Sequence, residues 1–370
     1  MLNIEKAIPK ENNIIVYDVG LPAFRNNRIL DLSYAKQFPG ASLIPTLRDF
    51  AALNGWRVMT GDVFLSTKPK AKRTVCLSNE RTPELKELLN RNVEPGVLIS
   101  GESPNVAWSF YHNLTYLSTG FRHACLFRGV LDRIHIGTKC HHHYWPMPPI
   151  QIKGININYS ERRLLAMVSS FKERYGLNRE RILSRIISPL RWLKIFWYQI
   201  IDSQARFPDL YKTRLEAICA FSSKDNFYLF GRQWDIAIKY YNTISCLNFA
   251  NRPVACDNKH DTLRCFRFTL VFENCIFPGY VTEKIFDAML AGSVPVYLGA
   301  PDIEDFVPID CFVDFRNYDD FDDLWRDISM WSEKKWNDTI IKINNFLESD
   351  RYAPFKEDNV AQKLFQLLTE

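Results

Sequence analysis

The stretch FENCIFPGYVTEKIFDAMLAGSVPVYLG, residues 272–299, decides the fold of this 370-residue chain. The apolar run RFTLVFEN (267–274) passes through a Pro-Gly turn into the helical pattern VTEKIFDAMLAG (281–292), and VPVYLG (294–299) follows as a second apolar run. Two buried strands joined by a helix form a βαβ unit, and Gly292 suits the left-handed residue that ends such a helix. The stretch predicts a parallel sheet with a ligand site in the loop beyond its first strand.

The alternation of strand and helix continues on both sides of this stretch. Further strands are predicted at NIIVYD (13–18), CLS (76–78), VLIS (97–100), ACLFRG (124–129) and FYLFG (227–231), and helices at RTPELKELLNR (81–91) and TRLEAICAFSS (213–223). A chain of this length exceeds what one hydrophobic core usually supports. We therefore predict an α/β protein of two Rossmann-like domains with a cleft between them.

The domain boundaries are predicted from breaks in these patterns. Residues 140–150, CHHHYWPMPPI, contain three prolines and are interpreted as part of the connection between the domains, followed from 160 to about 175 by a helical stretch. We predict an acceptor-binding domain at 1–160, a donor-binding domain at 161–345, and a C-terminal helix at 346–370 that packs back on the first domain.

The composition is that of an ordered globular protein, with 46% hydrophobic and 24% charged residues. A net charge of +5 does not indicate a nucleic-acid-binding protein. The sequence contains no apolar run of about 18 residues and no N-terminal signal pattern, so we expect a cytoplasmic protein.

One segment, residues 161–194, is strongly basic, with nine Lys and Arg against three Glu. Within it and just beyond, apolar residues recur at helical spacing over 179–200, interrupted by Pro189. One interpretation is a pair of core-packing helices with a solvated basic face. The other is a basic amphipathic surface that contacts anionic lipid, with peripheral attachment to a membrane.

The loop and helix start at 274–284 have the chemistry of a diphosphate site. Free N–H groups at a helix N-terminus attract anions, and a lysine in the first turn, Lys284, is otherwise unfavourable against the helix dipole. Glu283 can accept two hydrogen bonds from a vicinal diol such as a ribose. The alternative is an ordinary surface ion pair at a helix start.

The same string resembles the signature of glycosyltransferase family 10, the α-1,3/4-fucosyltransferases. The matching residues are Phe272, Glu273, Asn274, Tyr280, Val281, Thr282, Glu283, Lys284, Gly292, Val294, Pro295, Val296 and Gly299. The resemblance implies a GT-B fold with GDP-fucose as co-substrate. It further implies that Tyr280 and Lys284 hold the diphosphate, that Glu283 holds the ribose, and that Asn274 contacts the donor.

Two further site residues follow from the resemblance. LYKTRLEAICAF (210–221) resembles the family helix whose arginine reaches the diphosphate, which places Arg214 in that role, although a solvated helix arginine is the alternative. VLISGESPNV (97–106) resembles the element that carries the general base, which assigns that role to Glu102; a capping or turn residue is the alternative.

No metal site is predicted. Three consecutive histidines, His141 to His143, point alternately to opposite sides of an extended chain, so they are poorly placed for one ion. They are interpreted as part of the acceptor cleft or as linker. No DxD pair flanks the donor loop, so no cofactor is expected to be required, although divalent-cation stimulation is left open.

The predicted function is an inverting transfer of L-fucose from GDP-fucose to a hydroxyl of a glycan acceptor, forming an α-1,3/4-fucoside. The resemblance implies N-acetylglucosamine in a lactosamine-type or surface-polysaccharide chain as the acceptor. The alternatives are a GT-B transferase that uses another sugar nucleotide, and a carbohydrate-binding protein of the same fold that does not catalyse transfer.

Overall fold

The computed structural model describes most of the chain. The described residues are 13–79, 82, 84–149, 158–170, 208–234, 250–251, 253–256 and 258–370. The basic stretch 179–200 lies outside the described residues. Its two interpretations, a core helix pair and a membrane-contacting surface, therefore stay predictions. Within the described residues no helix combines the length and the apolar character that a membrane crossing requires.

The first lobe is built on a six-stranded parallel sheet. Its strands are β1 (Asn13–Asp18), β2 (Trp56–Thr60), β3 (Thr74–Asn79), β4 (Glu94–Ile99), β5 (His123–Leu126) and β6 (Lys139–His142). Its helices are α1 (Leu32–Ala35), α2 (Leu43–Leu53), α3 (Gly61–Thr67), α4 (Leu85–Asn90), α5 (Trp108–His112) and α6 (Leu114–Ser118). The strand order is β2-β1-β3-β4-β5-β6, so the chain reverses its direction across the sheet between β1 and β3.

The second lobe contains a five-stranded parallel sheet in the order β11-β10-β9-β7-β8. Its strands are β7 (Arg163–Val168), β8 (Phe227–Phe230), β9 (Phe266–Phe272), β10 (Val294–Leu298) and β11 (Val313–Asp314). The helices after β7 are α7 (Tyr211–Phe221), α8 (Lys259–Leu263), α9 (Glu283–Leu290), α10 (Phe321–Ser329), α11 (Glu333–Glu348) and α12 (Glu357–Thr369). The corresponding reversal lies between β7 and β9.

The predicted helix from 160 to about 175 is wrong for its first half. Residues Arg163–Val168 form β7, an inner strand of the second sheet that is hydrogen-bonded between β8 and β9. A short apolar run such as RLLAMV fits a buried strand and a helix equally well, and the pairing with both neighbours decides in favour of the strand. The supposed linker at 140–150 likewise begins with β6, the edge strand of the first sheet.

The last helix, α12, packs on the first lobe. The ring of Phe365 makes edge contacts with Phe50 on α2 and with Trp56 on β2. The chain passes between the lobes twice, and the two connecting segments contact each other: the amide of Met147 donates to the carbonyl of Phe355 at 2.7 Å. At the start of α12 the buried carboxylate of Glu357 accepts a hydrogen bond from Thr46 at 2.6 Å and another from Ser42. The C-terminal segment therefore ties the two lobes together.

Candidate active site

A cavity of about 170 Å³ lies at the reversal point of the second sheet, beyond the carboxyl ends of β7 and β9. Its polar lining includes Ser169, Ser170, Arg214, Lys259, Asn274 and Lys284. Ligands of open α/β sheets bind at such reversal points, because the chain diverges there and leaves a crevice. The fold thus brings three of the predicted donor residues, Arg214, Asn274 and Lys284, to one place.

Arg214 enters this cavity from α7 and is itself buried, with 8% of its surface exposed. Its Nε atom donates to the carbonyl oxygen of Phe272 at 3.0 Å, and Nη2 donates to the same oxygen and to Oδ1 of Asn274 at 3.1 Å. The ring of Tyr211 lies 4.8 Å from the guanidinium carbon. These contacts fix the plane of the guanidinium at the end of β9, and among the described residues none accepts from Nη1.

Lys284 is held by a carboxylate that sequence reasoning did not assign to it. Glu273 is fully buried, and its oxygens accept from Lys284 Nζ and from the amide and hydroxyl of Thr282, all at 2.9 Å. Thr282 is the N-cap of α9, so Glu273 satisfies the start of this helix. Burial opposes the charge on Lys284, but the carboxylates of Glu273 and Glu283 outweigh it and raise the pKa of the lysine. Lys284 is therefore a fixed cation on the cavity wall.

Lys259 is a third cation on the same wall, and sequence reasoning missed it. It is the first residue of the short helix α8, and its Nζ atom is 2.6 Å from Oδ2 of Asp287 on α9. Nε2 of His260 lies 3.0 Å from the other oxygen of that carboxylate. Burial opposes the charge on Lys259, and the neighbouring Asp287 and Glu283 outweigh it and raise its pKa. No local sequence signal marks a lysine that becomes a site residue only through helix packing.

Tyr280 and Glu283 do not line the cavity. The Tyr280 side chain is 2% exposed, its ring lies 4.9 Å from that of Phe127, and its hydroxyl accepts from Nδ2 of Asn274 at 3.1 Å. In this arrangement Tyr280 orients Asn274. The carboxylate of Glu283 is 3.7 Å from Lys284 Nζ and 21% of its side chain is exposed. It borders the cations without joining the wall of the cavity.

The loop that carries Glu102 meets the donor loop across the cleft. The Cys275 thiol lies beside the side chain of Ser103 and the backbone of Asn105, and burial followed by the charge of Glu273 raises its pKa to about 12. Burial also raises the pKa of Tyr280 well above its usual range. Several carboxylates add to this effect, and Glu102 is one of them. Glu102 itself is exposed. Glu102 therefore directly precedes the residue of the first lobe, Ser103, that lies beside the donor loop of the second.

A turn next to this contact requires glycine. Gly279 has a φ of 73°, and a Cβ atom there would lie 2.9 Å from the backbone of Arg128 and from Cε1 of His142. Its amide donates to Asp302 at 2.7 Å, and the Arg128 guanidinium is 3.1 Å from the same carboxylate. The Pro-Gly turn predicted from the sequence is thus a point of backbone contact between the two lobes, where the amide of Gly129 donates to the carbonyl of Pro278 at 3.1 Å.

The three consecutive histidines enter three different environments. Nε2 of His141 is 3.1 Å from Nδ1 of His123, the ring of His142 lies 4.9 Å from that of Phe306, and His143 is buried beside Phe127. Burial lowers the pKa of His142 to about 4 and that of His143 to about 3. His143 lines a second cavity, which also contains Glu102. Within the described residues no three ligating side chains gather around one point.

The low pKa of His143 predicts acid sensitivity. The unfolded chain takes up a proton below a pKa of about 6.5 and the folded chain does not, so stability falls as the pH decreases from about 6.5 toward 3. For His143 alone the loss of unfolding free energy is about 2 kcal/mol at pH 5. Urea unfolding at pH 7 and at pH 5 measures this loss of unfolding free energy. His143→Phe should reduce the difference between the two pH values, whereas the same change at the exposed His112 should retain it; an equal difference in both variants would contradict the assignment.

Two parallel sheets, each with a cavity at its reversal point and facing each other across a cleft, define the class: the predicted α/β fold of GT-B glycosyltransferases is confirmed. A crystal structure of an alpha1,3-fucosyltransferase with GDP matches 98% of this chain and 92% of that chain, with a TM-score of 0.53 and 14% identity. Anabaena Alr3699/HepE in complex with UDP matches 97% of this chain and 99% of that chain, with a TM-score of 0.53 and 10% identity. At these identities the likeness concerns the fold.

A family model matches part of the second lobe by sequence. Residues 224–337 match the model of "Glycosyltransferase family 10 (fucosyltransferase) C-term", which confirms the resemblance inferred from 272–299. Human 4-galactosyl-N-acetylglucosaminide 3-alpha-L-fucosyltransferase 9 is 37% identical over 90 residues, which are 22% of this chain and 25% of that protein. An alpha-(1,4)-fucosyltransferase of Arabidopsis thaliana is 38% identical over 68 residues, 18% of this chain and 17% of that protein. The matches thus span a quarter or less of the length of these two relatives.

Proposed function

We propose that this chain is an inverting fucosyltransferase that transfers L-fucose from GDP-fucose to a hydroxyl of a glycan acceptor. The observation that carries the proposal is the cavity at the end of β9, in which Arg214, Lys259 and Lys284 present three cations. A nucleoside diphosphate leaving group develops negative charge as its bond to the sugar breaks, and fixed cations stabilise that charge. The family match at 224–337 supports fucose as the transferred sugar.

In the proposed reaction Glu102 is the general base. The acceptor hydroxyl loses its proton to the Glu102 carboxylate while its oxygen attacks the anomeric carbon from the face opposite to GDP. The bond between that carbon and the phosphate oxygen breaks, GDP leaves with the bonding electrons, and the β-linked donor gives an α-fucoside. This role is supported by the exposed position of Glu102 and by its neighbour Ser103, which lies beside Cys275 of the donor loop.

The donor contacts are assigned by position. Arg214 and Lys284 are proposed to bind the diphosphate, assisted by Lys259, while Asn274 orients Arg214 and is itself oriented by Tyr280. Glu283, next to Lys284, is proposed to accept from the ribose diol. With this much fixed positive charge, we propose that transfer requires no metal cofactor, and that a divalent ion bound to GDP would only stimulate it.

The acceptor and the linkage belong to the same proposal. We propose an N-acetylglucosamine unit in a lactosamine-type or surface-polysaccharide chain, fucosylated in α-1,3 or α-1,4 linkage. The human relative named above carries 4-galactosyl-N-acetylglucosaminide in its name, and this supports an acceptor of that class.

A titration with nucleotides tests the donor site. We expect GDP and GDP-fucose to bind and UDP to bind less tightly, measured by calorimetry. Arg214→Gln should weaken GDP binding about 10- to 100-fold, because a charge-assisted hydrogen bond contributes about 1.5–3 kcal/mol. Lys212→Gln is the matched control, since Lys212 lies on the same helix with 79% of its side chain exposed.

Three outcomes separate the candidate functions. Failure of GDP and GDP-fucose to bind wild-type protein that is folded by circular dichroism would overturn the proposal. Binding and hydrolysis of a different sugar nucleotide would identify a GT-B transferase with another donor. Binding of GDP-fucose without transfer to any member of a glycan array would favour a carbohydrate-binding protein. Because Arg214 also supports β9, Arg214→Lys, which retains the charge, is the second variant if Arg214→Gln does not fold.

A further inference from the structure

The first lobe contains a cavity to which the proposed reaction assigns no ligand. It has a volume of about 260 Å³ and lies beyond the carboxyl ends of β1, β3 and β4, which contribute Tyr17, Asn79 and Ile99 to its wall. The position is the reversal point of the first sheet, equivalent to that of the donor cavity in the second. Glu102 lines the same cavity, so its contents lie next to the proposed base.

The wall of this cavity is predominantly apolar. Aromatic rings come from Tyr17, Phe24, Phe38 and Trp145. Aliphatic side chains from the segments 21–29 and 39–44 complete the wall. The Phe24 and Phe38 rings meet edge to face at 5.0 Å. Polar side chains are confined to the region around Asn79, Glu102 and His143. Burial lowers the pKa of His143 to about 3, so its imidazole is uncharged at neutral pH.

Trp145 connects the apolar wall to the base. A Cβ atom at Gly40 would lie 3.2 Å from Cζ2 of its indole, and a Cβ atom at Gly101 would lie 3.4 Å from Cζ3. The ring is therefore packed directly against the residue that precedes Glu102. Any group that rests on this indole is held beside the Glu102 loop, which is the geometry that a positioned acceptor needs.

The apolar character of the wall determines which kind of chemical group can bind in this cavity. Each hydroxyl of a sugar ring placed against aliphatic side chains would lose its hydrogen bonds to water without replacement, which is costly. An apolar group would instead gain free energy in proportion to the area it removes from water. An apolar cavity of about 150 Å³ is large enough for benzene, so a volume of about 260 Å³ accommodates an aryl group or several methylenes.

We propose that this cavity is a subsite for an apolar aglycone, an aryl- or alkyl-sized group attached to the acceptor sugar whose hydroxyl faces Glu102. The inference rests on the proposed function, because it assigns the cavity to the acceptor of that reaction. The acceptor is then an amphipathic glycoconjugate: its sugar occupies the cleft, and the adjoining apolar group is anchored on Trp145.

Two glycosides that differ only in the aglycone test this subsite. With GDP at saturation, phenyl β-N-acetylglucosaminide is expected to bind at least about tenfold more tightly than methyl β-N-acetylglucosaminide, measured by calorimetry. The same ratio is expected in KM for fucosyl transfer, with similar kcat. Equal affinities of the two glycosides in the wild-type protein would overturn the proposal.

A substitution that fills the cavity tests the proposal, and the same substitution outside the cavity is its control. Ala41 lines the cavity and Ala52 is exposed on the nearby helix α2. Ala41→Leu should reduce the advantage of the phenyl glycoside to less than about threefold while GDP affinity stays unchanged, and Ala52→Leu should preserve the advantage. If Ala41→Leu fails to fold, Phe38→Ala, at a half-buried ring of the wall, should lower the phenyl affinity; an unchanged advantage in the folded variant would overturn the proposal.

These readouts separate the two proposals. Loss of GDP binding in the wild-type protein would mean that the fucosyltransferase function fails. Normal GDP binding with no preference for the phenyl glycoside would mean that only the apolar subsite fails. The calorimetric comparison does not depend on turnover, so it remains decisive whether or not the chosen glycoside is fucosylated.

Discussion

Glu102→Gln is expected to lower kcat for fucosyl transfer by about 10²- to 10⁴-fold, the usual contribution of a general base. Glutamine keeps the size of the side chain but cannot take the acceptor proton. Glu102 is exposed and its side chain is not part of the donor cavity, so the affinity for GDP should stay within about twofold of wild type. Transfer is measured with GDP-fucose and a glycan acceptor at saturation, and GDP binding by calorimetry.

The control for this substitution is Glu87→Gln. Glu87 lies on α4 in the same lobe, pairs with Arg91 one helical turn away, and has 55% of its side chain exposed. Its replacement should leave transfer and binding unchanged, because exposed pairs of this kind contribute little. If Glu102→Gln retained transfer within about threefold of wild type, another residue would have to be the base.

Glu273→Ala is expected to destabilise the protein by about 3 kcal/mol, as breaking a buried ion pair usually does. The Glu273 carboxylate is fully buried, and it accepts from Lys284 and from the amide and hydroxyl of Thr282. Its removal leaves the lysine without its main partner and leaves the amide and hydroxyl of Thr282, the N-cap of α9, without their acceptor. The value lies at the low end of the range because 23% of the Lys284 side chain is exposed to water.

Urea unfolding gives the free energy for this variant. The matched substitution is Glu283→Ala, which removes a second carboxylate near the same lysine, at 3.7 Å and with 21% of its side chain exposed. It should cost less than about 1 kcal/mol. Similar losses in the two variants would contradict the central position given to Glu273. The double variant Glu273→Ala with Lys284→Met should be less destabilised than the sum of its parts, because the two side chains interact directly.

Three strands show why the local sequence pattern predicted only part of the fold. NIIVYD was predicted at 13–18 and is β1 at Asn13–Asp18, because a fully apolar run bounded by polar residues has few alternatives. RLLAMV was interpreted as helix and is β7, since a six-residue apolar run contains too little periodicity to separate the two. KCHH carries almost no hydrophobic signal, and it becomes β6 only because β5 offers an unpaired edge.

The residues of the candidate site also fall into two groups, those that short motifs predict and those that only packing brings to the cavity. Arg214, Asn274 and Lys284 were inferred from short motifs, and the structure places them around one cavity. Lys259 was not inferred, because it approaches that cavity through the packing of α8 against α9, and its position depends on Asp287 in a different segment of the chain. The role of Glu273 was also missed, because its side chain is directed by the cap of the helix that follows the loop.

The sequence by itself predicted the parallel βαβ unit at 272–299, which the structure confirms, and the resemblance of the donor half to glycosyltransferase family 10, which the family model matches; the assignment of Glu102 as base stays a prediction. These features depend on residues close together in the chain, where strand, turn and helix preferences act over one or two turns. Only the tertiary structure decided that Ser103 meets Cys275, that His143 and Glu102 line one cavity, and that this cavity opens next to Trp145. Such contacts join residues more than 30 positions apart, and no local preference specifies which distant surfaces will pack together.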